Sequence, residues 1–289
     1  PINGVIGMID VLHETSLRGF QVEMVNLIRE SAYSLLAIIE DILDFSKIEA
    51  GKLEIDSAAV GIETVIKTTC GMLEHMAARK GVELTLYVDP EIPPALLGDA
   101  MRLRQIMVNL TGNAIKFSSG GERQGRVSVR ALLAEPGDER VVVEFHVADN
   151  GIGMSEAVVA RLFTPFTQAD ATTTRQYGGK GLGLEIVKHL VTLMDGSVSI
   201  TSEPGRGSLI SVRIPMRRTQ PGAEPDREPS PIAGLSCVVV GGAKGMSDDL
   251  AAYLAHAGAA VTRAEDLASA RAAVGTRPPS STVWIVDAQ

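Results

Sequence analysis

The chain has 289 residues, 45% of them hydrophobic, and a net charge of -8 from 27 basic and 35 acidic residues. This length predicts two or three domains, each with a real core. The acidic balance argues against nucleic-acid binding, which needs a basic patch or stripe. No apolar run approaches the ~20 residues that span a bilayer, so we expect a cytoplasmic segment without membrane contact. Cys70 and Cys237 lie far apart and fit no metal or redox spacing.

Residues 1–50 are predicted to form a helical hairpin, with one helix over 2–12 and a longer one after the turn at 15–19. From Val25 to Ile42, apolar residues recur every three or four positions and form a seam for other helices. Leu36 and Leu43 widen this stripe, which favours a homodimer with a four-helix bundle. Packing of the hairpin on its own downstream domain is the alternative.

Residues 51–217 are predicted to form an α/β sandwich, in which helices cover one face of a mixed sheet. Residues 218–233, rich in Pro and Glu, are predicted to be a linker. Residues 234–289 begin a β-α-β unit of a parallel sheet and form an incomplete domain, with two buried strands at 235–242 and 281–288. The sandwich strands are expected at 82–89, 125–134, 140–149, 196–202 and 207–215, with helices near 61–79, 99–117 and 181–194.

The motif DNGIGM, at 149–154, directly follows an apolar strand. Gly151 and Gly153 allow the backbone to turn tightly and to approach a ligand closely. Asp149, at the strand end, can accept a hydrogen bond from an exocyclic amine. An ordinary Asp-Asn-Gly turn is the alternative interpretation.

The motif NLTGNAIKF, at 109–117, lies on a predicted helix. Asn109, Asn113 and Lys116 are spaced four and three apart, so they share one helix face. Two carboxamides and an ammonium can together hold a Mg²⁺–polyphosphate, although a solvated polar face is the alternative. The opposite face carries the residues that a core needs, namely Ile106, Leu110, Ala114 and Phe117.

A glycine-rich motif, GGKGLGLEIVKHL at 178–190, leads into an amphipathic helix whose free backbone N–H groups can face phosphates. Its spacing is neither that of a Walker loop nor that of a dinucleotide fingerprint. The small polar residues at 167–177 suit a mobile lid. A fourth motif, GRGS at 205–208, stands at a strand start.

In this order and spacing, the four motifs resemble the nucleotide-binding domain of histidine kinases, within the wider family of gyrase, Hsp90 and the mismatch-repair ATPases. PINGVIGM, at 1–8, is similar to the run that follows the phosphoacceptor histidine, which we therefore expect upstream of Pro1. ILDFSKIEAGKLEI, at 42–55, resembles the junction between hairpin and catalytic domain, and LFTPF, at 162–166, the phenylalanine box. The resemblance covers residues 1–217 and implies an ATP-dependent protein-histidine kinase of a two-component phosphorelay.

The resemblance also implies residue roles in binding ATP and Mg²⁺. Asp149 contacts the adenine amine with support from Ser208, and Phe117 borders the base. Asn113 ligates Mg²⁺, while Asn109 and Lys116 lie beside the phosphates. The lid contributes Arg175, and its end is held against the phosphates by Gly181, Leu182 and Gly183. Lys180 stands where the family has a small hydroxyl residue.

The C-terminal segment resembles the first half of a receiver domain, which implies a hybrid kinase. Gly241 and Gly242 occupy the places of the acidic pair that holds Mg²⁺ in receivers, although Asp287 stands at the phosphoacceptor position. Phosphoryl transfer without a metal lacks charge neutralisation, so we expect a regulatory pseudo-receiver. We expect it to dock on the catalytic domain or the hairpin and to bind a small-molecule ligand. The other expected partners are a second copy of the chain and a downstream receiver or phosphotransfer domain.

Two other functions fit parts of the sequence. A non-kinase ATPase of the gyrase/Hsp90 family normally carries a glutamate base on the asparagine-box helix, where this chain has Asn109. A nucleotide-sensing scaffold without catalysis is the other alternative. The presence of Asp149, Asn113 and both glycine-rich motifs argues against it.

Overall fold

The computed structural model describes residues 2–13, 15–120, 123–162, 183–219, 230–241, 246–274 and 282–286. The chain divides into two compact units, the first made of 1–54 with 160–190 and the second of 55–159 with 191–289. Among the described helices, none combines the length and the apolarity needed to cross a bilayer.

The first unit contains the predicted hairpin, formed by α1 (Ile2–His13) and α2 (Gly19–Glu49). Its core consists of Ile6, Ile9, Val25 and Ala32, with Leu17 and Leu36 packed against it. The rest of the predicted seam is exposed within one chain, including Ile28 at 52% and Ile42 at 48%. A single hairpin therefore covers only part of its apolar stripe, as the sequence pattern indicates.

The second unit is built on a seven-stranded sheet in the order β1-β3-β7-β5-β4-β2, with β6 paired to β7. Only the β2–β4 pair is parallel, which confirms the predicted mixed sheet. The strands are β1 (Ala58–Val60), β2 (Val82–Val88), β3 (Leu96–Gly98), β4 (Gly125–Glu135), β5 (Arg140–Asp149), β6 (Ser197–Glu203) and β7 (Gly207–Arg218). The helices are α3 (Ile62–Arg79), α4 (Ala100–Ser118) and α5 (Glu156–Val159), and α6 (Gly183–Leu193) crosses the boundary between the units.

Helices α3 and α4 pack on each other and on one face of this sheet. The burial pattern of strand β5 reflects this packing. Its residues on one face are buried, whereas the residues between them are only half-buried; the buried residues are Val141, Val143, Phe145 and Val147. Each fully buried side chain of this size contributes roughly 1.5–3 kcal/mol to stability. The helices thus cover one face of the sheet. The C-terminal end of β5 and the start of β7 lie side by side and form one edge of the candidate site.

The C-terminal segment forms a separate three-stranded parallel sheet in the order β10-β8-β9. Its elements are β8 (Ser236–Val240), α7 (Met246–His256), β9 (Ala260–Ala264), α8 (Leu267–Val274) and β10 (Thr282–Val286). We call residues 230–286 the C-terminal module. Strand β8 is buried as predicted, with Val238 and Val240 packed against Ala264 and Ala270.

The prediction that the last strand is buried is wrong. In β10, Val283 is 47% exposed and Val286 is 48% exposed. The reason is its position at the end of the three-stranded sheet, where it pairs with β8 alone. The linker begins later than the predicted position 218, because β7 extends through Arg218. Of the predicted receiver positions, Gly241 follows β8, whereas Gly242 and Asp287 lie outside the described residues.

Candidate functional site

Asp149 ends β5 directly beside Ser208 at the start of β7, as partners in the antiparallel ladder. Its Oδ1 atom accepts a 2.9 Å hydrogen bond from the backbone N–H of Gly151. Burial raises the pKa of Asp149, and hydrogen bonds from Gly151 and from Ser208 oppose that rise. The carboxylate is therefore a poorly hydrated acceptor held in a fixed orientation, which suits recognition of a ligand amine.

Ser208 belongs to a small hydroxyl network that sequence reasoning missed. Ser202 Oγ lies 3.0 Å from Ser208 Oγ, and it also donates to the carbonyl oxygen of Gly207 over 3.0 Å. The backbone N–H of Met154 donates to the same Ser202 oxygen over 2.8 Å. Its place in the site follows from the pairing of β6 with β7, which puts Ser202 opposite Ser208.

The glycines of the site have a packing role in addition to any role toward a ligand. A β-carbon on Gly151 would overlap the carbonyl oxygen of Phe117, and one on Gly153 would overlap that of Glu203. Gly153 also has a φ of +62°, a conformation that favours glycine. The 150–154 loop is thus packed backbone against backbone, between the end of α4 and the turn before β7.

Asn150, which the sequence analysis did not single out, ties the same loop to β4. Its Oδ1 accepts from the Arg126 N–H over 2.7 Å, and its Nδ2 donates to the Gln124 carbonyl over 2.9 Å. The backbone N–H of Asn150 donates in turn to the Arg126 carbonyl over 3.2 Å. The middle residue of the Asp-Asn-Gly motif therefore fixes the loop that follows Asp149.

Helix α4 presents the predicted polar residues on one side. Its start is fixed by Asp99, whose Oδ1 accepts from the backbone N–H groups of Met101 and Arg102 at 3.0 Å each. The three polar residues of the motif are half-buried, namely Asn109, Asn113 and Lys116. The core side of the helix is fully buried, as predicted, at Ile106, Leu110 and Ala114.

Phe117 departs from the prediction that it belongs to the core side of α4. It is only half-buried, and the Lys116 ammonium lies 4.9 Å from the centre of its ring. Stacking of a cation on an aromatic ring keeps the ring at the polar side of the helix end. Burial, with a smaller effect of Lys80, lowers the pKa of Lys116. An aromatic ring and an ammonium therefore stand side by side at the end of α4.

The structure brings together two groups of predicted site residues. Phe117 joins the groups, since its carbonyl oxygen accepts from the Ile152 N–H over 3.3 Å. One group lies on α4 (Asn109, Asn113, Lys116, Phe117) and the other at the strand ends (Asp149, Gly151, Gly153, Ser208). Gly183 begins α6 in the first unit, and Arg175, Lys180, Gly181 and Leu182 lie outside the described residues.

Two other features delimit the chemistry of the site. A cavity of about 430 Å³ lies at the other end of the sheet, beside Gly98, Arg140 and Asp195, and contains none of the predicted site residues. In the described part of the chain, no group of three or more His, Cys, Asp or Glu residues could hold a metal ion. The α4 face offers amide oxygens, which belong to the class of oxygen ligands that Mg²⁺ uses.

Comparison with known proteins identifies two domains. Residues 1–51 match the His Kinase A (phospho-acceptor) domain, and residues 98–218 match the histidine kinase-, DNA gyrase B-, and HSP90-like ATPase domain. The second match contains the α4 residues, Asp149 and Ser208. Both predicted domain types are thus found in the predicted order.

Curated relatives that match the chain are named histidine kinases. The chain is 44% identical over 208 residues to the signal transduction histidine-protein kinase BarA of Escherichia coli, covering 72% of this chain and 22% of BarA. It is 40% identical over 240 residues to the sensor histidine kinase GacS of Pseudomonas protegens, covering 83% and 26%. The chain thus spans about a quarter of the length of these curated relatives.

A solved structure is similar over nearly the whole chain. Full-length ShkA in complex with AMPPNP aligns with a TM-score of 0.69 and 32% identity, covering 99% of this chain and 61% of ShkA. The chain therefore belongs to the histidine kinases, with a HisKA domain followed by an ATPase domain of the histidine kinase, gyrase and Hsp90 type.

Proposed function

We propose that the chain is the ATP-binding part of a hybrid sensor histidine kinase in a two-component phosphorelay. The observation that carries the proposal is the placement of Asp149 beside Ser208 within the matched ATPase domain, downstream of a matched HisKA hairpin. The relatives named histidine kinases support it, and they do not favour the gyrase-type alternative. In the reaction, the bond between the γ-phosphorus and the bridging oxygen breaks, a phosphorus–nitrogen bond forms at the acceptor imidazole, and ADP leaves.

ATP is placed by the residues that surround the 150–154 loop. Asp149 accepts from the adenine amine, Ser208 supports the carboxylate, and Phe117 borders the base. Gly151 and Gly153 let the backbone approach the ligand. Lys116 and Asn109 lie beside the phosphates, and the remaining proposed ATP-binding residues are Arg175, Lys180, Gly181, Leu182 and Gly183. The AMPPNP complex of the similar ShkA supports nucleotide binding by this domain.

A Mg²⁺ ion fits the α4 face. Mg²⁺ uses oxygen ligands, keeps several waters and takes few ligands from protein when phosphates are present. The half-buried amide of Asn113 offers one such oxygen, next to Asn109 and one turn before Lys116. When bound, the ion neutralises charge on the transferring phosphoryl group. Asn113 holds and orients it, while the Lys116 ammonium draws the phosphate chain to the same helix face.

The hairpin fits a homodimer. Several large apolar side chains of one hairpin are exposed, including Met8 at 72% and Phe20 at 71%. A patch of this kind marks an interaction surface, and a second hairpin would cover it as a four-helix bundle. Sedimentation equilibrium that shows a monomer at micromolar concentration would contradict this. The phosphorylated histidine then passes its phosphoryl group to a receiver or phosphotransfer domain.

The test uses γ-labelled ATP and a protein extended upstream to include the acceptor histidine. We expect label that is stable to base and labile to acid on the extended protein and none on residues 1–289. Replacing Asn113 with Ala in the extended protein should abolish the label. Label on residues 1–289 themselves, or full labelling of the Asn113→Ala variant, would overturn the proposal.

A further inference from the structure

Helix α7 of the C-terminal module contacts the ATPase sheet through an ion pair on β4, the strand next to the sheet edge. The guanidinium of Arg130, on β4, donates to both carboxylate oxygens of Asp249, on α7, over 2.6 and 3.0 Å. Both side chains are mostly covered, with exposures of 31% and 21%. A bidentate pair has a fixed geometry, and partial burial shields it from the screening that weakens surface pairs.

Tyr253 makes the second contact, one helical turn further along α7. Its hydroxyl donates to the carbonyl oxygen of Val88 over 2.7 Å and accepts from the Val88 N–H over 3.2 Å. Val88 ends β2, the edge strand of the sheet, and edge strands present backbone groups without a strand partner. The Tyr253 hydroxyl thus binds both the N–H and the carbonyl oxygen of Val88, the last residue of the edge strand β2.

The ATPase domain holds the receiving side chains in place. The Arg130 guanidinium lies 4.3 Å from the centre of the Tyr87 ring, its neighbour in the β2–β4 ladder. The Tyr87 and Tyr253 rings meet edge to face, with centres 5.5 Å apart. Stacking on Tyr87 holds the Arg130 side chain in its binding orientation even when α7 is undocked. This preorganisation lowers the entropic cost of docking.

A third contact completes the set, between His256 Nδ1 and Glu91 Oε1 at 2.8 Å. The module contributes Asp249, Tyr253 and His256, which are spaced four and three apart and so share one face of α7. One ion pair, one histidine–carboxylate contact, one phenol and one ring pair converge there on four residues of the ATPase domain. We call these residues, Tyr87, Val88, Glu91 and Arg130, the α7 platform.

The α7 platform is separated from the nucleotide residues along the sheet. Asp149 pairs with Val127 at the beginning of β4, whereas Arg130 lies three residues further along that strand. Val88 is the last residue of β2, whose first residue pairs with Gly125. None of the platform contacts involves Asp149, Ser208 or the polar face of α4.

We propose that the α7 platform is a specific and reversible docking site for a helix that presents an acid, a tyrosine and a histidine at positions i, i+4 and i+7. In this chain the ligand is α7 itself, which holds the C-terminal module against the ATPase domain while it is docked. Tyr253 keeps 40% of its surface exposed, as expected of a contact that opens locally. Docking leaves the affinity for ATP unchanged.

The test measures amide hydrogen exchange of the 289-residue chain, because the Val88 N–H itself binds the Tyr253 hydroxyl. Arg130→Glu should speed exchange at Val88 and across α7 by about fivefold or more. Tyr253→Phe should speed it at Val88 while the ring contact with Tyr87 remains. The double swap Arg130→Glu with Asp249→Arg should recover most of the lost protection.

Arg126→Glu is the matched control, because Arg126 lies on the same strand and pairs with Glu83 rather than with the module. It should leave exchange at Val88 and α7 as in the wild-type chain. Calorimetry should show the same ATP affinity, within about twofold, for wild type and Tyr253→Phe. Wild-type exchange in both Arg130→Glu and Tyr253→Phe would overturn the proposal, as would equal acceleration by Arg126→Glu. A loss of ATP affinity in Tyr253→Phe would overturn the separation from the nucleotide site.

Discussion

The α-carbon of Gly207 lies so close to the backbone of Asp149 that any β-carbon on it would overlap the Asp149 carbonyl oxygen. Gly207 also has a φ of +101°, in the region that favours glycine. Replacing Gly207 with Ala should therefore reduce the free energy of unfolding through both strain and overlap. Gly205→Ala is the matched control, since Gly205 has a φ of +75° in the same turn but open space around it.

Urea unfolding should show that Gly207→Ala loses about 1–3 kcal/mol more than Gly205→Ala, the cost of overpacking. Both variants place alanine at a positive φ, and the overlap with Asp149 is present only in Gly207→Ala. Equal losses in the two variants would contradict the close packing of the two strands at the site.

Asp149→Asn should make the protein without nucleotide more stable at pH 7. Burial raises the pKa of Asp149 above its ordinary 3.8 in the folded state. The stabilising contribution of this group is therefore complete below pH 3.8 and is lost as pH rises through the folded pKa. A neutral amide avoids that loss. Denaturant unfolding at pH 7 checks the gain, which should shrink below pH 4.

Asp266→Asn is the control for that experiment, because the pKa of Asp266 is shifted in the opposite direction from that of Asp149. Hydrogen bonds from Ser269 hold the pKa of Asp266 below its ordinary value, so its ionised form stabilises the fold above that value. Removing its charge should give no gain in stability at pH 7. A loss of stability in Asp149→Asn at pH 7, or a gain in Asp266→Asn, would contradict the electrostatic account of Asp149.

Tyr87 should remain protonated well above the usual range of tyrosine. Burial, with smaller effects of Asp89 and Asp249, raises its pKa to about 12. Its contribution to stability is thus complete below pH 10 and falls between pH 10 and about 12. Absorbance at 295 nm, compared between wild type and Tyr87→Phe, should assign the late-titrating one of the four phenols to Tyr87. A difference curve with its midpoint near pH 10 would contradict the burial of this ring against the module.

Asn113→Ala should make ATP binding insensitive to Mg²⁺. We expect ATP affinity of the wild-type chain to fall when EDTA removes the ion, and the variant to bind ATP equally weakly with and without it. Gln105→Ala, two turns earlier on the same face and bonded to Arg102 over 2.8 Å, is the control and should keep the Mg²⁺ response. A full Mg²⁺ response in Asn113→Ala would remove Asn113 from the metal site.

The periodicity of the sequence predicted most of the fold because its long elements bury a regular face. Strand β5 alternates in burial from Arg140 to Ala148 and was predicted with its full bounds. Strands β1 and β3 escaped prediction because three residues hold too little alternation to detect. The exposure of β10 also escaped, since an apolar run does not reveal whether its strand lies inside a sheet or at its edge.

The site was predictable where a motif carries its own chemistry, as at Asp149 or along α4. Ser202 and Asn150 were missed because their roles depend on which strands pair and which turns meet. The same limit applies to Arg130 and Tyr253, which lie in different domains and have no common motif. Sequence reasoning did predict that the module docks on the catalytic domain or the hairpin. The structure shows it on the catalytic domain, at the end of β2.

The central claim is that Asp149 binds the adenine amine of ATP, and calorimetric titration of Mg-ATP tests it most directly. The Asp149→Asn variant should bind about 10- to 150-fold more weakly than wild type, the equivalent of roughly 1.5–3 kcal/mol for a hydrogen bond to a charged group. Circular dichroism would show that the variant is folded. Unchanged ATP affinity in a folded Asp149→Asn variant would contradict the account.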